Sequence, residues 1–207
     1  MPRNSAVQPK FTKAKRTRDE ILDVAQRDAS LLGIDALTIG GLAQSCGLSK
    51  SGLNAHFGSK EALQLAVIDA VALRFRSEVA ERAFSVAPGR ARLLAIMNHW
   101  IAWSDDPSRP GGCQLIAATF DFDGLDGAVR DCLSGWIKKW RNAIRVSVIE
   151  ANAIERIKLD PDHMTSLAFG LYMSQHMERL LLDDEAAQTR AMETWLTAVS
   201  AEKTLGI

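Results

Sequence analysis

Polar side chains between residues 38 and 60 have the types and spacing of groups that bind nucleic acid. Lys50 can reach a phosphate or the edge of a guanine, and the carboxamide of Asn54 can pair with adenine through two hydrogen bonds. Lys60 can hold a further phosphate. Contacts with phosphates fix where the protein lies on the DNA, whereas contacts with bases determine which DNA sequence it prefers. The residues predicted to contact DNA are Thr38, Ser49, Lys50, Ser51, Gly52, Asn54, His56 and Lys60.

Two short helices joined by a glycine turn are predicted to position these side chains. One begins after Thr38 and ends at Gly47, and the other begins after Ser49 and ends at Gly58. Threonine and serine are common helix N-caps, and glycine commonly ends helices. This arrangement is typical of a helix-turn-helix, whose second helix enters the major groove. The N-terminal N–H groups of both helices would also attract phosphate.

A preceding helix is predicted from near Thr17, where Thr17 and Glu20 form a capping box, to Gly33. The stretch 1–16 holds five Lys and Arg residues and no acid, and is predicted to be a basic flexible tail. The apolar face of this helix is expected to pack against the glycine turn. The predicted shared core is Ile21, Ala25, Leu42, Leu48 and Leu53.

The rest of the chain has helical periodicity and lacks the alternation typical of strands. A long helix is predicted from Ser59 to about Ser85, ending before the break at Pro88. The sequence therefore predicts an all-α fold. An N-terminal three-helix unit at 17–62 precedes a bundle of roughly six helices at 63–207. The later helices are predicted at about 89–104, 113–121, 126–153, 161–182 and 185–201.

Charge is unevenly distributed along a chain whose net charge is zero. Residues 1–60 carry nine Lys and Arg against five Asp and Glu, whereas residues 61–207 carry sixteen against twenty. A basic head fits contact with phosphate and fits a solvated basic tail equally well. The three cysteines are far apart and offer no metal-ligand spacing, so neither a metal nor a cofactor is expected. No apolar run approaches the ~20 residues of a membrane span, and no secretory signal is recognised, so a cytoplasmic protein is expected.

Two strings carry a resemblance to a known family. Residues 17–25 read TRDEILDVA, and residues 38–63 read TIGGLAQSCGLSKSGLNAHFGSKEAL. They resemble the TetR (TetR/AcrR-like) family of bacterial regulators, and the resemblance extends over about 17–75. It implies a ligand-responsive, DNA-binding transcriptional regulator. It further implies a repressor that binds a near-palindromic operator as a dimer and is released by a small molecule.

The chain departs from the family pattern at several positions. Asn54 stands where relatives often have an aromatic residue that packs against the DNA backbone. Gly40 and Gly41 stand where larger polar residues are common, and Ala29 replaces a frequent phenylalanine. These departures put DNA affinity and sequence choice in doubt rather than the fold.

The resemblance also implies a homodimer built from the last two long helices, about 161–182 and 185–201. Small and apolar residues on these helices could form that interface, or they could be ordinary intramolecular core. The candidate interface residues are Ala168, Leu171, Gln175, Leu182, Ala191, Trp195 and Val199.

By analogy with the family, the bundle is expected to contain a cavity for a small-molecule effector. Aromatic residues and methionines could line it, with Asn98, His99, Gln114 or His176 as polar groups. The alternative is that these residues are core at helical spacing. The candidate pocket residues are Met97, Trp100, Trp103, Phe120, Trp136, Trp140, Tyr172, Met173, His176 and Met177.

An enzyme and an adaptor protein are the two alternatives to a DNA-binding regulator. An enzyme could use His99, Cys113, His163 or His176, but no catalytic order or glycine-rich phosphate loop supports one. The acids around Asp123 resemble part of a calcium loop without its fixed glycine and final glutamate. The second alternative is a structural or adaptor protein that has lost DNA binding. The unusual Asn54 is the residue that favours it.

Overall fold

Nine helices form the described part of the chain. The computed structural model describes residues 10–201, where no strand is present. This confirms the predicted all-α class, with three helices ahead of a larger bundle. The helices are α1 Lys10–Leu32, α2 Ile39–Ser45, α3 Lys50–Phe57, α4 (Lys60–Phe75, continued by Arg76–Ala80 and Glu81–Phe84), α5 Arg90–Ser104, α6 Gln114–Phe122, α7 Ala128–Glu155, α8 Pro161–Leu181 and α9 Ala187–Ser200.

Helix α1 begins earlier than predicted, at Lys10 instead of near Thr17. The prediction of a flexible tail is therefore wrong for residues 10–16. Lysine, alanine and arginine make up most of this stretch, and all three favour the helix. A capping box indicates where a helix can begin, but it does not prevent the helix from extending further upstream. Residues 1–9 of the predicted tail lie outside the described residues.

The core of the N-terminal unit contains four of the five residues predicted for it. Ile21, Ala25, Leu42 and Leu53 are buried, but Leu48 is 39% exposed. Leu48 follows Gly47, whose φ of +63° forms the tight turn, and its N–H donates to the carbonyl of Ala43 at 2.9 Å. The turn leaves this side chain at the surface. The core is completed by Ala29, Ile34, Leu37, Ala43 and Phe57.

Helix α4 runs from the N-terminal unit into the bundle, packing on α1, α6 and α7. Its residues 76–80 form a π-helical turn. The buried residues Phe75, Val79 and Ala83 follow each other at intervals of four. At 3.6 residues per turn such a stripe would rotate by about 40° at each step. The wider π turn offsets this rotation and keeps all three side chains on the core side.

The bundle is arranged around α5, which packs against α7, α8 and α9. Helices α8 and α9 form a hairpin on its outer side, and the indole N–H of Trp195 donates to the carbonyl of Leu93 at 2.8 Å. Of the helices within residues 10–201, none has both the length and the apolar character that a membrane span requires.

Candidate nucleic-acid interface and ligand cavity

Side-chain caps fix the starts of α2 and α3. The hydroxyl of Thr38 accepts from the Gly41 N–H at 3.0 Å, and the hydroxyl of Ser49 accepts from the Gly52 N–H at 3.0 Å. Both predicted N-caps are confirmed. Each such cap contributes roughly 1 kcal/mol to helix stability. The other N–H groups of a first helical turn lack partners within the helix and are typical phosphate-binding groups.

Helix α3 has one buried face and one open face. Leu53 and Phe57 are buried against α2 and α4, and the guanidinium of Arg18 lies 4.5 Å from the centre of the Phe57 ring. Lys50 and Asn54 are exposed on the other side. Of the remaining predicted DNA contacts, Ser51 and Gly52 are exposed and His56 is half-buried. The polar face is therefore accessible to a groove, as insertion into DNA requires.

Lys60 already has an intramolecular partner. Its ammonium donates to the carboxylate of Asp35 at 3.0 Å, and the Gln64 side chain donates to the same carboxylate at 3.3 Å. The hydrogen bond from Lys60 is the main reason that the pKa of Asp35 is lowered. Exposed ion pairs contribute only about 0–1 kcal/mol, so a phosphate can compete for this lysine.

A cavity of about 310 Å³ lies between α4, α5, α6 and α7. Its aromatic walls are Phe75, Trp100, Trp136 and Trp140, and its charged wall residues are Arg76 and Lys139. The Phe75 ring meets that of Trp140 edge-on at 5.0 Å, and Trp100 meets Trp140 edge-on at 5.5 Å. Aromatic pairs at these distances give the cavity preformed walls.

Two indole N–H groups of the cavity walls are buried without an acceptor among the described residues, those of Trp100 and Trp140. Leaving a buried donor unpaired costs about 1–3 kcal/mol. An acceptor on a bound molecule would remove that cost.

Only part of the predicted pocket set reaches the cavity. Trp100, Trp136 and Trp140 line it, whereas Phe120 is 66% exposed and Met177 is 49% exposed. Phe120 lies two residues from buried Ala118, so the helix turns it about 200° away from the core. Met177 lies two residues from a buried glutamine, so the helix turns it away from the core in the same way. The other candidates are buried or half-buried outside the cavity wall: Met97, Trp103, Tyr172, Met173 and His176.

A neutral polar cluster lies behind Trp100. The Tyr172 ring stacks on Trp100 at 4.3 Å, and His176 stacks on Tyr172 at 6.4 Å. Burial raises the pKa values of Tyr172 and Cys113, while burial and then Arg179 lower the pKa of His176. All three groups are therefore uncharged near neutral pH. Such a cluster provides packing and holds no charged base.

The other histidines named as candidate acid–base or metal-binding residues do not lie together in one site. His163 lies exposed at the start of α8, 4.0 Å from a carboxylate oxygen of Asp160, and His99 is half-buried on α5. Within residues 10–201, no group of three or more His, Cys, Asp or Glu side chains is placed to hold a metal ion.

Most of the residues predicted for the dimer interface lie inside the chain. Leu182 is 62% exposed and Leu171 is half-buried, but the other five side chains are buried. Their burial matches the alternative interpretation, in which they belong to the intramolecular core. These five are Ala168, Gln175, Ala191, Trp195 and Val199.

The loop between α5 and α6 connects the cavity with the N-terminal unit. The Gly111 N–H donates to the hydroxyl of Ser30 at 2.8 Å, and the Gln114 side chain donates to the carbonyl of Gln26 at 2.9 Å. Both acceptors belong to α1. Gln114 lies between two wall residues of the cavity, Cys113 and Leu115. The cavity wall and the hydrogen bonds to α1 are therefore adjacent along the chain.

Buried Arg109 fixes the same loop to α4. Its guanidinium lies 3.5 Å from the centre of the Trp103 ring and donates to Glu78, in the π turn, at 3.1 Å. It also donates to Asp106 at 2.8 Å. Sequence reasoning missed this role because the prolines and glycines around Arg109 indicate only a loop.

Two family models match this chain, one in its N-terminal unit and one in its bundle. A family model described as "Bacterial regulatory proteins, tetR family" matches residues 21–67. A second, described as "Tetracyclin repressor-like, C-terminal domain", matches residues 89–195, which is more than half of the chain. Comparison with curated protein sequences gives no match.

Solved structures share the fold at low sequence identity. A TetR transcriptional regulator from Chloroflexus aurantiacus J-10-FL is 22% identical, with 92% of this chain and 98% of that chain covered and a TM-score of 0.82. A TetR-family regulator from Cytophaga hutchinsonii is 16% identical, with 94% and 98% covered and a TM-score of 0.77. AibR, in complex with isovaleryl coenzyme A and operator DNA, is 22% identical, with 86% and 95% covered and a TM-score of 0.67.

Proposed function

Because the chain belongs to the TetR family of bacterial regulatory proteins, we propose that it is a repressor that binds a near-palindromic operator as a homodimer and is released by a small molecule. The observation that carries this proposal is the exposed polar face of α3, whose start is fixed by the Ser49 cap. The cavity in the bundle is the proposed effector site. The AibR complex supports a regulator of this kind, because one protein of similar fold binds both isovaleryl coenzyme A and operator DNA.

DNA recognition is assigned to the first half of α3. Lys50 contacts phosphate or guanine, and Asn54 reads adenine through its carboxamide. Lys60 exchanges Asp35 for a phosphate. In a symmetric dimer the two copies of α3 enter major grooves about one helical turn, ~34–36 Å, apart. The operator half-sites follow that spacing.

The dimer is assigned to the outer faces of α8 and α9. Large apolar side chains remain exposed there, among them Leu181 at 73%. Leu182 and Leu196 are further examples. Apolar groups left on a surface in this way favour association. These exposed side chains, rather than the buried ones suggested by the sequence, are the proposed dimer contacts.

Release is assigned to the contact between α6 and α1. A molecule in the cavity presses on the wall around Leu115 and alters the hydrogen bonds that Gln114 and Gly111 make with α1. It thereby favours one spacing of the two α3 helices over the other, which shifts the population away from the DNA-bound form. Couplings of this kind amount to about 1–3 kcal/mol.

Selection of bound duplexes from a random pool tests DNA recognition. We expect a near-palindromic site and an affinity that falls steeply with salt concentration. Lys50→Ala should weaken binding to every duplex, whereas Lys138→Ala, an exposed lysine on α7, should leave it unchanged. A salt dependence near zero would favour the adaptor alternative. A strictly monomeric chain by sedimentation would overturn the operator-binding dimer.

Gly111→Ala tests the route to α1. A Cβ atom added at Gly111 would lie 1.6 Å from the carbonyl oxygen of Ser30, so the loop must move away from α1. We expect at least a fivefold change in operator affinity. Gly124→Ala is the matched control, because nothing lies within 4 Å of its added Cβ atom. Equal behaviour of the two variants would contradict the proposed route.

A further inference from the structure

The charged residues that line the cavity are both cations. Arg76 comes from the π turn of α4 and Lys139 from α7, and no Asp or Glu occurs among the described lining residues. We propose that the effector is a small organic carboxylate with an aromatic or alkyl body. This inference rests on the proposed function, in which the cavity is the effector site.

The cavity shape determines the body of the ligand. Phe75, Trp100 and Trp140 meet edge-on and leave an apolar space of about 310 Å³. That volume is at the lower end of the ~300–1,000 Å³ found for ligand sites in general. A single ring or a medium-length alkyl chain fits this space.

The cations favour an anionic head group. Arg76 has 66% of its side chain exposed and Lys139 is exposed as well, so both lie on the solvent side of the cavity, where the polar head of a ligand with a buried apolar body would meet them. The Lys139 ammonium lies 4.3 Å from the centre of the Trp136 ring, and no carboxylate of residues 17–201 forms an ion pair with it. Arg76 uses its Nε–H on Glu81 at 3.1 Å. A guanidinium has five donors, so Arg76 can bind a second carboxylate.

The acid that contacts Trp136 is already engaged. Asp69 accepts from the indole N–H of Trp136 at 3.1 Å and is not part of the cavity wall. The unpaired indole N–H groups of Trp100 and Trp140 add a further argument. A carboxylate supplies acceptors to such donors, whereas a hydrocarbon supplies none.

Fluorescence of the full-length protein tests the proposal, because three of its five tryptophans line the cavity. The probes are phenylacetate, 4-phenylbutyrate and octanoate, each titrated beside its neutral primary amide. We expect at least one acid to bind tenfold or more tightly than its amide. Lys139→Met should reduce the affinity of the acid to that of the amide, and Lys138→Met is the matched control because that exposed lysine lies outside the cavity.

Ala143→Phe provides a second variant, since it fills the cavity from α7 and should abolish binding of acid and amide alike, with folding checked by circular dichroism. Equal binding of acids and amides would overturn the carboxylate assignment. Acid binding that survives Ala143→Phe would overturn it too, because the acid would then bind elsewhere. Binding of no probe would have the same consequence. Operator affinity measured on the same preparations shows separately whether the proposed DNA-binding function holds.

Discussion

The recognition face of α3 takes its shape from neighbours along the chain, whereas the cavity takes its shape from residues far apart in sequence. Ser49 caps α3 through Gly52, three residues later, and the polar face consists of residues of this one helix. In the cavity, Phe75, Trp100 and Trp140 come from three different helices and pack on one another. Substitutions on the recognition face should therefore change DNA binding alone. Substitutions in the cavity should change stability together with function.

Trp100→Ala should have the largest effect of the changes considered. Trp100 is buried and contacts four aromatic rings, so its truncation leaves a large void. We expect the free energy of unfolding to fall by about 3–5 kcal/mol in urea denaturation. The control is Phe120→Ala, whose ring is exposed and whose loss should cost no more than about 0.5 kcal/mol. A loss below about 1 kcal/mol for Trp100→Ala would show that the cavity walls are not rigid core.

Asn54→Ala should separate DNA recognition from stability. Because Asn54 is exposed, unfolding should change by no more than about 0.5 kcal/mol. Discrimination at one base position should fall by about 1–3 kcal/mol in competition with mutated duplexes. Lys50→Ala is the comparison variant, and a phosphate role for it should reduce the salt slope by about 1 without changing base preference. If Asn54→Ala lowers affinity equally for every duplex, the carboxamide does not read a base.

Ser59→Ala should show how local the stability of the N-terminal unit is. The Ser59 hydroxyl accepts from the Ala62 N–H at 3.1 Å and caps α4. Losing the cap should cost about 1 kcal/mol in urea denaturation. Ser45→Ala, at the exposed end of α2, is the control and should be close to neutral. Equal losses of stability in the two variants would show that the lost cap is not the cause.

Acid should produce the smallest effect, at the junction of α8 and α9. The hydrogen bond from Arg190 is the main cause that lowers the pKa of Asp184, and bonds from Ser174 and then Arg190 lower the pKa of Glu178. A carboxyl whose pKa is lower in the folded state stabilises the protein above its unfolded pKa. That stabilisation is lost as the pH falls through the folded pKa. We expect Arg190→Gln to weaken the loss of stability below about pH 4, measured as urea midpoints from pH 7 to 3. An unchanged pH profile would assign the acid sensitivity to other groups.

The sequence predicted the N-terminal unit well because its signals are local. Thr38, Ser49 and the glycines that end α2 and α3 fix each boundary within a few residues. Leu48 was misplaced because its exposure depends on the backbone at Gly47. The early start of α1 was missed because a capping motif does not rule out helix before it.

The bundle was predicted only as a set of helices. Helical periodicity identifies the buried face of α8 or α9, but it does not say whether that face meets another helix of the same chain or a second chain. For this reason the sequence left open whether Ala168 and Trp195 belong to a dimer interface or to the core, and the structure shows both buried within the chain. Arg76 and Lys139 were missed because charged residues on a helix usually face solvent, and only the tertiary structure places them beside the cavity.

The continuity of α4 has a mechanical consequence. Residues 60–84 form one helix about 37 Å long, reaching from the N-terminal unit past the cavity. Arg109 holds this helix at Glu78, about 27 Å from its start, and a tilt of about 5° about that point displaces the start by about 2 Å. That distance is more than half of the ~3.4 Å rise between successive nucleotides of a DNA strand. In the proposed operator-bound dimer, a tilt of this size would therefore shift each α3 relative to its half-site.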